Sequence, residues 1–220
     1  MNFFKTRFFI YVIAACIVGA FIMYGESLEE GSVVVLTQPS EANRTAGSKV
    51  VGAPKIGGPF SLVNQKGMPV TDQIFRGRYM LVYFGYTFCP DVCPTSLQIV
   101  ADALDMLDEK DMQKIVPVFI TVDPDRDTPE VLKEYVPNFH TKMVGLTGTK
   151  EQVFQAAKAY RAYFNKVVEE GGDKDEYLMD HTSITYLMGP NGEFVKHFPH
   201  GYDPKAMAER LKAILDGKEG

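Results

Sequence analysis

A six-residue apolar run, YMLVYF at residues 79–84, leads straight into GYTFCPDVCP at 85–94. A strand that is apolar on both faces must be covered on both faces, which calls for a central, largely parallel sheet flanked by helices. After Pro94 the apolar positions Leu97, Val100, Ala101, Leu104 and Leu107 follow helical spacing. Proline is tolerated near a helix start, because its missing N–H has no intrahelical partner there. Cys89 and Cys93, separated by three residues and each followed by proline, therefore fall between the carboxyl end of a central strand and a helix. In an open α/β sheet that crevice is where sites form.

The remaining pattern supports the same architecture. Residues 60–63 alternate and stop at the turn cluster 64–67, which predicts a hairpin into Pro69, Val70 and Thr71. Residues 115–122 read as a second buried strand, and Pro129 opens a helix carrying Val131, Leu132 and Tyr135. Thr149 with Gln152 forms a capping-box signature for a helix to about Arg161. Residues 183–188, then Pro190-Asn191-Gly192, then 193–198 read as a hairpin, followed by a last helix over 204–215. A β-α-β unit with continuously apolar strands, a hairpin and a terminal helix predicts an α/β fold of the thioredoxin-like sandwich type. Additional residues between the second strand and the hairpin enlarge it. Residues 53–220 are enough for one core, and the acidic stretch 169–176 reads as a solvated loop.

Residues 8–24, FFIYVIAACIVGAFIMY, carry no charge. As a helix they span roughly 26 Å, near the lower limit for crossing a bilayer. Lys5 and Arg7 precede them and Glu26, Glu29 and Glu30 follow, so the basic flank stays cytoplasmic and the rest lies on the far side. A cleaved signal peptide would need a small-residue cleavage site, and none follows the run. A lipoprotein signal ending at Cys16 would leave eight further apolar residues at the mature start. An uncleaved transmembrane helix over residues 1–25 is the favoured reading, with a small, polar tether over 26–52 that contains one possible edge strand at 33–36. Only seven residues precede the apolar run, too few for a mitochondrial presequence, which favours a bacterial inner membrane.

The net charge is −5, and Lys5 and Arg7 are the only charges before Glu26, so the globular part is more acidic still. Such a domain is a poor partner for phosphate backbones, and no basic stripe is present; nucleic acid is not an expected partner. Three cysteines cannot build a disulfide framework, and Cys16 is accounted for as an apolar residue of the anchor. Cys89 and Cys93 sit on the oxidising side of the membrane, at a helix start whose dipole favours thiolate. Their spacing suits joint use, either as a redox pair or as metal ligands. His181, in YLMDHTSITYLMGPNGEF, is far away in sequence, but a thioredoxin-like arrangement brings the loop entering the hairpin opposite the cysteine loop. Two thiolates and one imidazole form a soft three-ligand set suited to copper(I), with zinc as competitor. His140, His197 and His200 lack such partners and read as surface or turn residues.

The blocks YFGYTFCPDVCPTSL, VDPDRDTPEVLKEY and YLMDHTSITYLMGPNGEF together resemble the signature of the Sco/SenC family of membrane-anchored copper proteins, over roughly residues 54–217. That resemblance implies a thioredoxin-like fold with copper held by Cys89, Cys93 and His181. It also implies delivery of copper to the CuA centre of cytochrome c oxidase subunit II, with possible action on that subunit's cysteine thiols. It does not identify the copper donor. Asp180 is then a candidate to influence His181 or partner docking, and Asp123, closing the second buried strand, is a weaker candidate that could equally cap a turn. Against a turnover enzyme, the thiols are spaced one residue further apart than in a Cys-x-x-Cys oxidoreductase, and Thr87 is misplaced for a peroxiredoxin. The alternative of another class is a thiol–disulfide reductase that keeps the oxidase cysteines reduced.

Overall fold

The computed structural model describes residues 55–168 and 177–218. The chain divides into two units, Met1–Val50 and Val51–Gly220, and the described residues all belong to the second. The expected anchor at 8–24, the edge strand at 33–36 and the loop at 169–176 lie outside the described residues. Among the described residues no helix is long and apolar enough to cross a membrane.

In chain order the elements are strands β1 (Ser61–Asn64), β2 (Pro69–Thr71) and β3 (Tyr79–Gly85), helices α1 (Val92–Asp105) and α2 (Glu109–Met112), and strand β4 (Ile115–Thr121). Helix α3 (Pro129–Tyr135), strand β5 (Val144–Thr147) and helix α4 (Lys150–Tyr160) come next. The chain then forms strands β6 (Phe164–Val168), β7 (Tyr177–His181), β8 (Ile184–Met188) and β9 (Phe194–Pro199), and helix α5 (Pro204–Leu215). Seven strands form one sheet in the order β2-β1-β5-β4-β3-β8-β9, while β6 and β7 form a separate two-stranded sheet. β3 runs parallel to β4 from Tyr79↔Ile115 to Gly85↔Thr121, and antiparallel to β8 from Met80↔Met188 to Tyr83↔Thr185.

The two central strands explain this order. Six of the seven residues of β3 and all seven of β4 are buried, so both faces of these strands are covered. Each fully buried Leu, Phe or Val there contributes about 1.5–3 kcal/mol relative to exposure. α1 packs against α5, α3 against β5, and α4 against β1. Helix α4 carries the anticipated capping box, with Thr149 Oγ1 accepting from Gln152 N–H and the Gln152 side chain accepting from Thr149 N–H. It ends at Arg161 in the left-handed region, φ 56°.

The mixed sheet with a β-α-β centre, a terminal hairpin and a last helix is the thioredoxin-like α/β arrangement expected. Three details differ from the sequence reading. Helix α1 begins at Val92, so Cys93 and Pro94 are already helical. β5 was not anticipated, because VGLT is too short for a pattern to show. The β6–β7 hairpin was missed because it lies apart from the core, and four residues of β6 are exposed.

β3 ends on Gly85, and close contacts explain why this residue is glycine. A Cβ at Gly85 would lie 2.8 Å from Cys93 Sγ, 2.9 Å from Tyr83 Cε1 and 3.1 Å from Phe119 Cε2. The sheet can thus approach the cysteine helix only without a side chain here. Gly85→Ala should lower unfolding stability in urea by about 1–3 kcal/mol through overpacking, with the m-value unchanged. A loss under about 0.5 kcal/mol would mean that Cys93 has room to shift.

Candidate metal centre

The site begins where β3 runs out. Residues 86–91 turn back toward the sheet, with Cys89 N–H bonded to the Tyr86 carbonyl at 3.3 Å. Helix α1 then starts with Asp91 at its N-cap position, yet the Asp91 side chain makes no cap bond. Cys93 N–H donates to Cys89 Sγ at 3.4 Å instead. A sulfur therefore meets one of the helix's orphan N–H groups, a job an Asn, Asp, Ser or Thr oxygen usually performs. Cys93 is fully buried and Cys89 half-buried, and both are free thiols.

His181 arrives from the other side as the last residue of β7, paired with Phe164 of β6. The chain is pinned as it leaves β7: Thr182 N–H donates to the Tyr163 carbonyl at 2.9 Å and Thr182 Oγ1 accepts from Tyr163 N–H at 3.0 Å. The imidazole stands edge-on to Tyr83 and Tyr86, with ring centroids 6.1 and 5.8 Å away and interplanar angles of 90°. Its Nδ1 lies 3.2 Å from the Thr182 carbonyl oxygen and its Nε2 lies 3.2 Å from Cys93 Sγ. A carbonyl cannot donate, so Nδ1 carries the proton and Nε2 presents its lone pair to the sulfurs. The two Sγ atoms and the imidazole ligand nitrogen all lie within 4.8 Å of one another.

The electrostatics of this cluster separate the two thiols. A hydrogen bond from Cys93 holds the Cys89 thiol well below the usual thiol range, aided by the N–H groups of Asp91 and Cys93, and opposed by burial. The partnership with Cys89 and burial push the Cys93 thiol up. Cys89 is thus the thiol that ionises first and Cys93 the one that keeps its proton, with Cys89 Sγ and His181 Nε2 as its neighbours. A soft cation would take that proton's place. The cluster opens into a cavity of about 320 Å³ whose walls include Tyr86, Pro90, Val167, Leu178 and Asp180. Three donors would leave a fourth position of a bound ion free for another ligand.

The other sequence candidates take different places. Asp180 is exposed on the rim of the cavity, while its neighbour His181 directs Nδ1 to Thr182 rather than to a carboxylate. Asp123 is buried; its Oδ1 accepts from Tyr177 Oη at 2.8 Å and its Oδ2 pairs with Arg126 Nε. His197 and His200 are exposed, His200 Nδ1 lying 2.9 Å from Ser96 Oγ. His140 is better covered than a surface residue, its side chain only 11% exposed, with Nδ1 accepting from Lys142 N–H at 3.1 Å. Sequence reasoning missed Asp127, which is fully buried, and Arg126, whose guanidinium lies 3.6 Å from the Tyr177 ring centroid. Their only signal was the acidic spacing in VDPDRDTP after a buried strand.

The thiolate assignment has a direct readout. A lowered pKa means that the reactive thiolate is present above that pKa and is lost only as pH falls through it. Iodoacetamide should therefore modify Cys89 before Cys93 in the reduced protein, and its rate should barely change between pH 8 and 6. An ordinary thiol slows roughly 75-fold over that interval. Peptide mapping that finds Cys93 modified first would reverse the assignment.

The sequence model of the SCO1/SenC family matches residues 48–216. An SCO2-like protein of Rickettsia prowazekii is 44% identical over 158 residues, covering 72% of this chain and 76% of its own. The human mitochondrial SCO1 homolog is 42% identical over 178 residues, covering 79% of this chain and 58% of its own, so the chain spans little more than half of that relative. The crystal structure of Arabidopsis thaliana ScoI with copper bound matches with a TM-score of 0.67 and 42% identity, covering 73% of this chain and 99% of that one. With a family match over most of its length and relatives 42–44% identical, the chain belongs to the SCO1/SenC family.

Proposed function

We propose that the protein is a membrane-anchored copper carrier that holds one copper ion with Cys89, Cys93 and His181. It delivers that ion to the CuA site of cytochrome c oxidase subunit II during oxidase assembly. The observation that carries this reading is the meeting of two sulfurs and one imidazole nitrogen within 4.8 Å. They come from segments 88 residues apart. Two thiolates and an imidazole favour copper(I) over hard cations, and a relative of 42% identity has been crystallised with copper. Residues 1–25, with their apolar run at 8–24, are the anchor and 26–52 the tether to the domain at 53–220. The setting is a bacterial inner membrane with the domain in the periplasm, or in the alternative a mitochondrial inner membrane facing the intermembrane space.

The geometry suits a carrier more than a permanent metal site. The ligands sit on two separate segments, and the cavity leaves one side of the ion open to an incoming thiolate. Exchange of one ligand at a time lets the ion pass without being free in solution. Asp180, exposed on the rim, would be available to the acceptor protein.

A second reading is favoured by the asymmetric thiols. A Cys89 thiolate beside a protonated Cys93 is arranged as an attacking and a resolving thiol, so the same pair could reduce a disulfide in the oxidase subunit. The two activities exclude one another at any moment, since an oxidised pair offers no thiolates.

The imidazole separates the readings. His181→Ala should weaken copper(I) retention roughly 100-fold or more, since loss of a mere supporting partner already costs 10–100-fold. Reduction of a partner disulfide should continue near the parent rate. Retention equal to the parent, in competition with a chelator of known copper(I) affinity, would remove the three-ligand reading. The pH dependence is a further check. Copper must displace the proton that the raised Cys93 pKa retains at neutral pH, so apparent affinity should rise about tenfold per pH unit from pH 6 to 8. An affinity flat across that range would show that no proton leaves.

A further inference from the structure

β4 delivers the chain to a turn that touches both halves of the site. At the end of that turn Asp127 is fully buried, and its three hydrogen bonds come from neutral donors. Its Oδ1 accepts from Thr87 Oγ1 at 2.6 Å, and its Oδ2 accepts from Thr87 N–H at 3.0 Å and Thr121 Oγ1 at 2.6 Å. A buried carboxylate is costly unless its oxygens are fully engaged. Here two of the three bonds go to one residue of the cysteine loop, two positions before Cys89.

The adjacent Arg126 reaches the other way. Its Nη1 donates to the Tyr177 carbonyl at 3.0 Å, and its guanidinium stacks on the Tyr177 ring at the start of the strand that ends in His181. It also lies over Phe88, 4.7 Å from the ring centroid, and its Nε pairs with Asp123. Asp123 in turn accepts from Tyr177 Oη, so one carboxylate orients both the guanidinium and the ring beneath it. Two neighbouring residues thus tie a single rigid turn to the sulfur loop and to the imidazole strand.

We infer that the turn after β4 is a brace in which Asp127 positions Cys89 through Thr87 and Arg126 positions His181 through Tyr177, so that it sets how tightly copper is held. The inference rests on the copper reading above. Neither residue touches the reacting atoms; both are positioning residues.

The test uses the full-length protein with Cys16→Ala, so that one thiol pair is read. Asp127→Ala should weaken copper(I) retention at least tenfold against a chelator of known affinity. With metal absent, it should also shift the Cys89–Cys93 thiol–disulfide equilibrium at least tenfold toward the disulfide. That equals about 30 mV more negative, because a loop no longer tied through Thr87 lets Cys89 close on Cys93. Asp127→Asn should restore both. Its amide oxygen can accept from Thr87 N–H and Thr121 Oγ1, and its NH₂ can donate to Thr87 Oγ1. Thr87→Val, which removes one bond only, should shift both quantities less and in the same direction, and serves if Asp127→Ala does not fold. Arg126→Lys keeps the charge but loses the planar stack and fork. It should weaken copper retention severalfold, and should add nothing in a His181→Ala background.

Asparagine as damaging as alanine, an unchanged thiol–disulfide equilibrium in both Asp127→Ala and Thr87→Val, or an Arg126→Lys cost that adds fully to that of His181→Ala would overturn the brace. If instead His181→Ala itself leaves copper retention unchanged, the copper reading fails. The metal-free thiol–disulfide shift would then still report on Asp127.

Discussion

The contact between Cys93 Sγ and His181 Nε2, 3.2 Å long, joins parts of the chain that share no local structure. The elements around it deliver one of these atoms or hold the other in place. β3, buried on both faces, sets the starting point of the sulfur loop. Gly85 lets the helix carrying Cys93 come within contact of the sheet. The β6–β7 hairpin holds the imidazole from the opposite side, with Thr182 fixing its tautomer. A close-packed interior transmits small displacements rather than absorbing them, so a site built from two segments is only as well defined as the packing between them.

That construction has a chemical consequence. Cys89, just before the first turn of α1, ionises first, and Cys93 keeps its proton between Cys89 and the imidazole. The protein tolerates the buried sulfur charge because backbone N–H groups and a neighbouring thiol solvate it. The same arrangement is ready for a cation and ready for disulfide exchange, which explains why one pair of cysteines supports two functional readings. In the proposed function the imidazole separates them, since it would ligate a metal and is not needed to form or break a disulfide.

Much of the fold was legible along the chain. The continuous apolar strands, the capping box at Thr149, the turn at Pro190-Asn191-Gly192 and the last helix all produce strong local signals, because each depends on neighbours within a few residues. β5 and the β6–β7 hairpin were not legible. β5 has only four residues, and the hairpin lies outside the main sheet with most of β6 in solvent, so no burial pattern marks it. The sequence marks Asp123 as a candidate without showing its partners, and nothing local sets Asp127 apart from the other acids of that turn. Burial of a carboxylate is decided by what folds over it, here Thr87 and Thr121.

The amino-acid order alone determined which chemistry is available: two thiols at a strand-to-helix junction, and a histidine between polar residues and a strand. Residue type and short-range spacing are properties of the chain, and they survive without coordinates. Tertiary structure alone decided that the imidazole meets Cys93, that the Nε2 lone pair points inward, and that Arg126 and Asp127 tie the two sides to one turn. Those are distances between segments separated by dozens of residues, and only the packing of the sheet and its helices sets them.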